Sequence, residues 1–310
     1  MKKTMLISLT LIMLILTGNY SFSQMNPNDP QYQSMKAKGL LPQPERVIPV
    51  EPIPTILPTD PGTRNFDLKV PLDGTFTELL PGNDDDSFGP FTLPFTFCFY
   101  GDDYTSFYIN NNGNVSFTTP YSEYSPTGFP STDYIMLAPF WGDVDTRGGL
   151  GGVFYKIESN RVIVIWNEVG YFYFNGDKRN TFELIFTDGE DPLIGIDNNV
   201  AFSYTTMQWT TGDASGPGGG FGGYPATVGV NKGDGVKYTL VGLFDQPGTA
   251  YDGPGGANDG VGYLEGKYYE FDACAEDVVI PGEVPVSNWA LFIGIALILT
   301  FTVIRFRKLV

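Results

Sequence analysis

Histidine is absent from all 310 residues, and cysteine occurs only twice. A chain without imidazole cannot build a Ser-His-Asp or Cys-His catalytic centre, a histidine-ligated zinc site or a histidine-based pH switch. Carboxylate chemistry and oxygen-ligated metals remain. Basic residues are also scarce, with 18 Lys and Arg against 35 Asp and Glu. Lys2, Lys3, Arg305, Arg307 and Lys308 lie in terminal segments that hold no acid, which leaves 13 basic against 35 acidic residues and a net charge of −22 between them. So acidic a surface repels nucleic acid and anionic lipid and attracts divalent cations, and no nucleic-acid partner is expected. Solubility alone is the other reading of the charge.

The two ends read as targeting segments. Residues 1–24 carry Lys2 and Lys3, an apolar run from Met5 to Leu16, then the small residues Ser21 and Ser23, the layout of a secretory signal peptide. Residues 285–310 carry an uncharged apolar stretch, Trp289 to Ile304, closed by Arg305, Arg307 and Lys308. Counted from Val284, the uncharged stretch is long enough to cross a bilayer, with the basic tail on the cytoplasmic side. An exported protein with an extracytoplasmic domain follows, tethered by its C-terminus. In this setting the even pair Cys98 and Cys274 is expected to form a disulfide, two separate buried thiols being the alternative.

Residues 25–62 are rich in proline and read as a semi-rigid extended spacer, or as an edge strand laid along the domain. From 63 to 274 the pattern is β throughout, and no convincing helix appears. Phe95, Phe97 and Phe99 alternate with Thr96 and Cys98, placing an aromatic row on one strand face. Asn111-Asn112-Gly113-Asn114 between two apolar runs is a hairpin signal. Short strands separated by glycine-rich turns predict an all-β, antiparallel sandwich or barrel-like single domain. Residues 275–284 read as a linker.

Candidate site residues cluster in a few loops. Asp143 and Asp145, two apart, face the same way if their segment is extended, and the glycine cluster Gly148 to Gly152 follows. Together with Asp84, Asp85 and Asp86 they form a candidate calcium site, since calcium takes six to eight oxygens from irregular loops. Turn capping by aspartate side chains is the structural alternative. The same pair could act as glycosidase carboxylates, but two apart on one strand they serve more easily as ligands or as structural partners of Arg147 than as acid and nucleophile across a sugar. Trp141 and Trp166 sit in apolar runs and are expected in the core. Tyr173 and Trp209, beside polar or glycine-rich segments, are expected at the surface as flat recognition faces, with Asp213 in the mobile loop Thr211 to Gly223. Asn114-Val-Ser116 matches a glycosylation acceptor pattern.

Five blocks in order then carry a resemblance: Ala138-Pro-Phe-Trp-Gly-Asp-Val-Asp-Thr-Arg-Gly-Gly149, Asn167-Glu-Val-Gly-Tyr171, Asn180-Thr-Phe-Glu-Leu-Ile-Phe186, Phe202-Ser-Tyr-Thr-Thr-Met-Gln-Trp209 running on to Ser215, and Ala226-Thr-Val-Gly-Val-Asn231 running on to Gly235. They resemble the extracellular NIDO (nidogen-like) domain. The resemblance implies an all-β module of matrix and cell-surface proteins that serves cell–matrix adhesion and has no known catalytic activity. The tail is similar to exosortase-type sorting signals: Pro285, Ser287, Asn288 and Trp289 precede the apolar span and the cluster Arg305, Arg307, Lys308. That likeness implies removal of the segment and release to the cell surface; a permanent anchor is the alternative. The function expected is binding of a surface or matrix protein through loops beside Asp143, Asp145 and Arg147, with calcium as a candidate ligand. Carbohydrate binding or hydrolysis and a passive envelope component are the rivals.

Overall fold

Strand formation follows the alternation seen in the sequence. Phe97 and Phe99 are buried, while Thr96 before them is exposed and Cys98 between them only partly buried, so the aromatic row packs inward as expected. The computed structural model describes residues 25–47, 65–79, 82–256 and 259–275. The expected signal segment, most of the linker, and the candidate membrane and sorting segment 285–310 lie outside the described residues. The chain divides into two units, Met1–Glu276 and Asp277–Val310, and every described residue belongs to the first. Among the described residues no helix is long and apolar enough to cross a membrane.

In chain order, helix α1 (Pro30–Lys36) precedes β1 (Thr77–Glu78), β2 (Ser87–Phe99), β3 (Asp102–Asn110), β4 (Asn114–Ser116), β5 (Met136–Trp141) and β6 (Val144–Asp145). There follow β7 (Gly152–Ile157), β8 (Arg161–Tyr171), β9 (Asn175–Thr187), β10 (Val200–Met207), β11 (Ala226–Asn231), β12 (Tyr238–Gln246), β13 (Asp259–Gly260), a 3-10 turn (Val261–Tyr263) and β14 (Tyr268–Phe271). One sheet runs β1-β7-β8-β9-β10-β14 with β6 also on β8, and the other runs β13-β12-β11-β5-β4-β3-β2. All pairings are antiparallel except β12 with β13. This is the expected antiparallel sandwich.

Both sheets feed one core. Phe97, Phe107 and Phe117 of the second sheet meet Phe186 of the first edge-on, at ring-centroid distances of 5.2, 5.3 and 6.0 Å. The hairpin expected at Asn111–Asn114 forms, with Asn110 opposite Asn114. Gly113 sits there at φ +75°, and a Cβ would fall 1.8 Å from the Phe140 carbonyl oxygen. Only glycine fits that turn. Strands β5 and β11 are buried at every position rather than alternately, because residues 121–134 cover the outer face of their sheet around Met136, Ala138, Trp141 and Phe129. Trp141 and Trp166 are fully buried, as expected.

The expected disulfide is present, with Cα atoms of Cys98 and Cys274 5.0 Å apart across 176 residues. It ties β2, at one edge of the second sheet, to the chain just after β14, at one edge of the first. Closing a loop of that length removes unfolded-state entropy equivalent to about 5 kcal/mol. Asn199 reinforces the corner: its side chain donates to the Cys98 carbonyl and accepts from the Ala273 amide.

The outer face of the first sheet is covered by residues 65–79, whose Leu68, Val70, Leu72 and Phe76 pack on Ile163, Ile165, Ile185 and Ala201. Glu183 of β9 pins that strap: it is fully buried and accepts the Lys69 and Val70 amides and the Ser203 hydroxyl. No cation closes on it, and burial pushes its carboxyl up to about 7 from an ordinary 4.5. Between pH 4.5 and 7 the folded protein therefore keeps a proton that the unfolded chain has released. Stability from this group is full below the unfolded value, declines as pH rises through that window and levels off above it, a change of about 3 kcal/mol. Thermal unfolding of wild type and Glu183→Gln across the window is expected to show a shallower decline in the variant.

Candidate functional site

The residues singled out in the sequence converge where the 82–86 loop, the end of β5 and the N-terminal segment meet. That segment is not a free spacer over residues 25–47. Asp29 caps α1 by accepting the Gln31 amide, Pro30 opens the helix, and the chain after it stays docked through Val47 to Thr127 and Tyr224 to Pro44. Proline-rich composition hid the helix, which the Asp-Pro start pair signals locally.

Helix α1 delivers Lys36 into the acidic cluster. Its ammonium is fully buried and donates to Asp85 Oδ1 and Oδ2 at 2.8 and 2.7 Å, to Asp84 Oδ2 at 2.9 Å and to Asp143 Oδ1 at 2.7 Å. The rings of Tyr124 and Phe172 each lie 4.2 Å from Nζ, centroid to nitrogen, closing the pocket with π faces. Burial alone would lower the Lys36 pKa, but Asp143, Asp84 and Asp85 outweigh it and hold the pKa above its ordinary value. Asp84, Asp85 and Asp143 are thus the part of the expected calcium set that comes together, and their carboxylate oxygens lie within 4.8 Å of one another. The positive charge a calcium ion would bring is supplied by Lys36. Asp86 stands at the rim and accepts from Asn28, and Asp145 turns to Arg147.

These carboxylates differ in how they are held. Asp85 is fully hydrogen-bonded, accepting also from Tyr32 Oη and Asn112 Nδ2. Asp84 accepts from Gln33 Nε2 on one oxygen, but its Oδ1 is buried without a hydrogen bond, and burial followed by the charge of Asp85 pushes it up to about 7. Asp143 Oδ2 is likewise buried and unpartnered, and desolvation drives its carboxyl well above the usual carboxylate range against the pull of Lys36. The loop that covers Asp143 comes so close that a Cβ at Gly212 would fall 2.1 Å from Oδ2.

Asp145 forms a two-pronged ion pair with Arg147, Nε to Oδ1 at 2.8 Å and Nη2 to Oδ2 at 2.6 Å, and also accepts the Phe174 amide. Asp143 and Asp145 are both closed to solvent and engaged by different cations. As a pair they offer no sugar an acid and a nucleophile.

The same loops build an exposed face above the cluster. Tyr173 is at the surface as expected, 49% exposed, beside Phe174 at 46%. The Arg147 guanidinium lies 4.2 Å from the Phe174 ring centroid. Asp213, also exposed, accepts from Asn175 Nδ2 and the Gly219 amide. Trp209 corrects the sequence reading. It is fully buried, donates from Nε1 to the Val169 carbonyl and packs 5.5 Å from Phe140, centroid to centroid. Its glycine-rich neighbours fold back over it instead of leaving it open. Asn114 is buried and bonded to Asn110, so the glycosylation pattern there is not accessible.

Removing the ammonium tests how the cluster is held together. Lys36→Ala leaves three buried carboxylates without their cation and is expected to cost about 3–5 kcal/mol in chemical denaturation, as breaking a buried ion pair does. An unchanged denaturation midpoint would show that the cluster stands without α1.

Comparison with known proteins places this architecture. A family model described as NIDO related matches residues 68–255, well over half of the chain. Alpha-tectorin of Gallus gallus is 32% identical over 184 residues, covering 50% of this chain and 8% of the relative. Nidogen of Drosophila melanogaster is 29% identical over 173 residues, covering 46% and 12%, and dendrite extension defective protein 1 of Caenorhabditis elegans is 31% identical over 174 residues, covering 49% and 14%. The chain thus spans only 8–14% of the length of these relatives. No solved structure matches. The matched region takes in the acidic loop, Asp143 to Arg147 and strands β1 to β12, and the chain belongs to the NIDO-related family.

Proposed function

We propose that this is an exported, non-catalytic surface protein of the adhesion type, whose NIDO-related domain binds a surface or matrix protein through the face formed by Arg147, Tyr173, Phe174 and Asp213. One observation carries the reading: two adjacent, half-exposed aromatic rings stand on loops that the buried ion pairs beneath hold rigid. Rigid aromatics beside an arginine lose little entropy on docking and are typical anchors of protein interfaces. The glycine-rich loops around Gly148 and Gly218 give a partner room to approach.

A glycan partner is favoured by a different feature. A cavity of about 320 Å³ between the N-terminal segment and residues 120–124 is lined by Tyr32, Tyr121, Tyr124 and Tyr134, with Glu123 among them. Tyrosine rings beside a carboxyl, two of them, Tyr121 and Tyr134, meeting edge to face, are chemistry suited to sugar rings. Calcium could join the acidic cluster only by displacing Lys36.

Tethering by residues 285–310, with or without sorting through Pro285, Ser287, Asn288 and Trp289, completes the proposal. Tyr173→Ala with Phe174→Ala is expected to reduce binding to a matrix-protein array at least tenfold while leaving the melting temperature within a few degrees of wild type. Binding retained by that variant but lost on replacing Tyr121 and Tyr134 would move the site to the tyrosine cavity. An epitope tag after Val310 is expected to stay with the membrane fraction if the segment anchors, and to be missing from the mature protein if it is cut.

A further inference from the structure

The pocket that holds Lys36 contains the parts needed to join two side chains covalently. A lysine amine and a carboxylic acid do not condense in water, where both are charged and water is in excess. A closed pocket eases two of these obstacles, because bulk water is kept out and the groups are already aligned. Lys36, Asp84, Asp85 and Asp143 are between 0 and 2% exposed, and the Tyr124 and Phe172 rings flank the nitrogen.

We infer that Lys36 Nζ and Asp143 Cγ form an intramolecular amide bond, with Asp85 moving the protons. Asp143 is the acyl partner because its Oδ1 lies 2.7 Å from Nζ while its Oδ2 is buried with no hydrogen-bond donor, so an ionised carboxylate is poorly supported there. Asp85 is the base because both of its oxygens accept from Nζ, and Tyr32 Oη and Asn112 Nδ2 fix its carboxyl group in place. The raised pKa of Asp143 agrees with this division.

The step balances within the pocket. The ammonium passes one proton to Asp85 along an existing hydrogen bond. The neutral amine attacks Cγ of protonated Asp143; the N–C bond forms, the C–OH bond breaks, and a nitrogen proton leaves with the hydroxyl as water. Asp85 ends protonated, so the ammonium and one carboxylate are both neutralised, and no oxidant or cofactor is consumed. The product ties the N-terminal segment to the domain irreversibly. None of this depends on what the exposed aromatic face binds.

The test is the mass of the full-length protein, purified after export and incubated folded, then reduced and denatured. Wild type is expected to weigh one water less than calculated for its mature termini, and digestion should release a branched peptide joining the Lys36 and Asp143 segments. Lys36→Arg keeps the charge but is expected to show full mass and no branch; Asp85→Asn is expected to accumulate the linkage more slowly or not at all. Full mass in wild type, with Lys36 free to react with an amine reagent after unfolding, would overturn the proposal. A branch ending on Asp84 or Asp85 would overturn the assignment of Asp143. These readouts on wild type remain decisive even if a variant does not fold.

Discussion

A single buried ammonium answers three buried carboxylates, and the geometry of the exposed aromatic face depends on that imbalance. Each aspartate would cost several kcal/mol to bury alone, yet they come from two distant places: Asp84 and Asp85 from the loop before β2, Asp143 from the turn between β5 and β6. Lys36 makes their convergence tolerable. Gln33, one turn earlier on α1, bonds both Asp84 and Arg147, so the Lys36 cluster and the Asp145–Arg147 pair form one network. Above it, Phe172 closes the lysine pocket while Tyr173 and Phe174, its neighbours in sequence, face outward. The interior electrostatics and the exposed face are built from the same few residues.

The sandwich beneath supplies a densely packed frame. Its core is dominated by aromatic rings from both sheets, and its outer faces are covered as well, by 65–79 on one side and 121–134 on the other. Loops rooted in strands buried on both faces have little freedom at their bases. A glycine-rich loop such as 211–223 can therefore be well placed, with Gly212 resting against Asp143 and Trp209 anchored below.

What could be read from residues alone was what neighbours in sequence decide. The Phe95–Phe99 alternation, the Asn111–Gly113 turn and the ordered blocks of the family pattern rest on local geometry, and the structure has them. The acidic residues were legible as a group, but not their occupant. Lys36 meets Asp143 across 107 positions and lies outside the family-matched region, in a segment whose prolines advertise extended chain. Trp209 misled for a related reason: glycines beside it suggested exposure, whereas they allow the loop to lie flat over the ring. Periodicity reports which face of a strand is buried, and it carries no information on which distant segment does the burying.

If the chain is held at its C-terminal end, as proposed above, the sulfur bridge between Cys98 and Cys274 has a mechanical consequence. Tension arriving from beyond residue 275 enters at Cys274 and divides there, one path leading into β14 and the other crossing directly to β2. The loop closed by the bridge, whose ends lie 176 positions apart, cannot be drawn out as slack while it is intact. A pull on the tether would therefore load two sheet edges at once and leave the aromatic interior, with the face it supports, in shape.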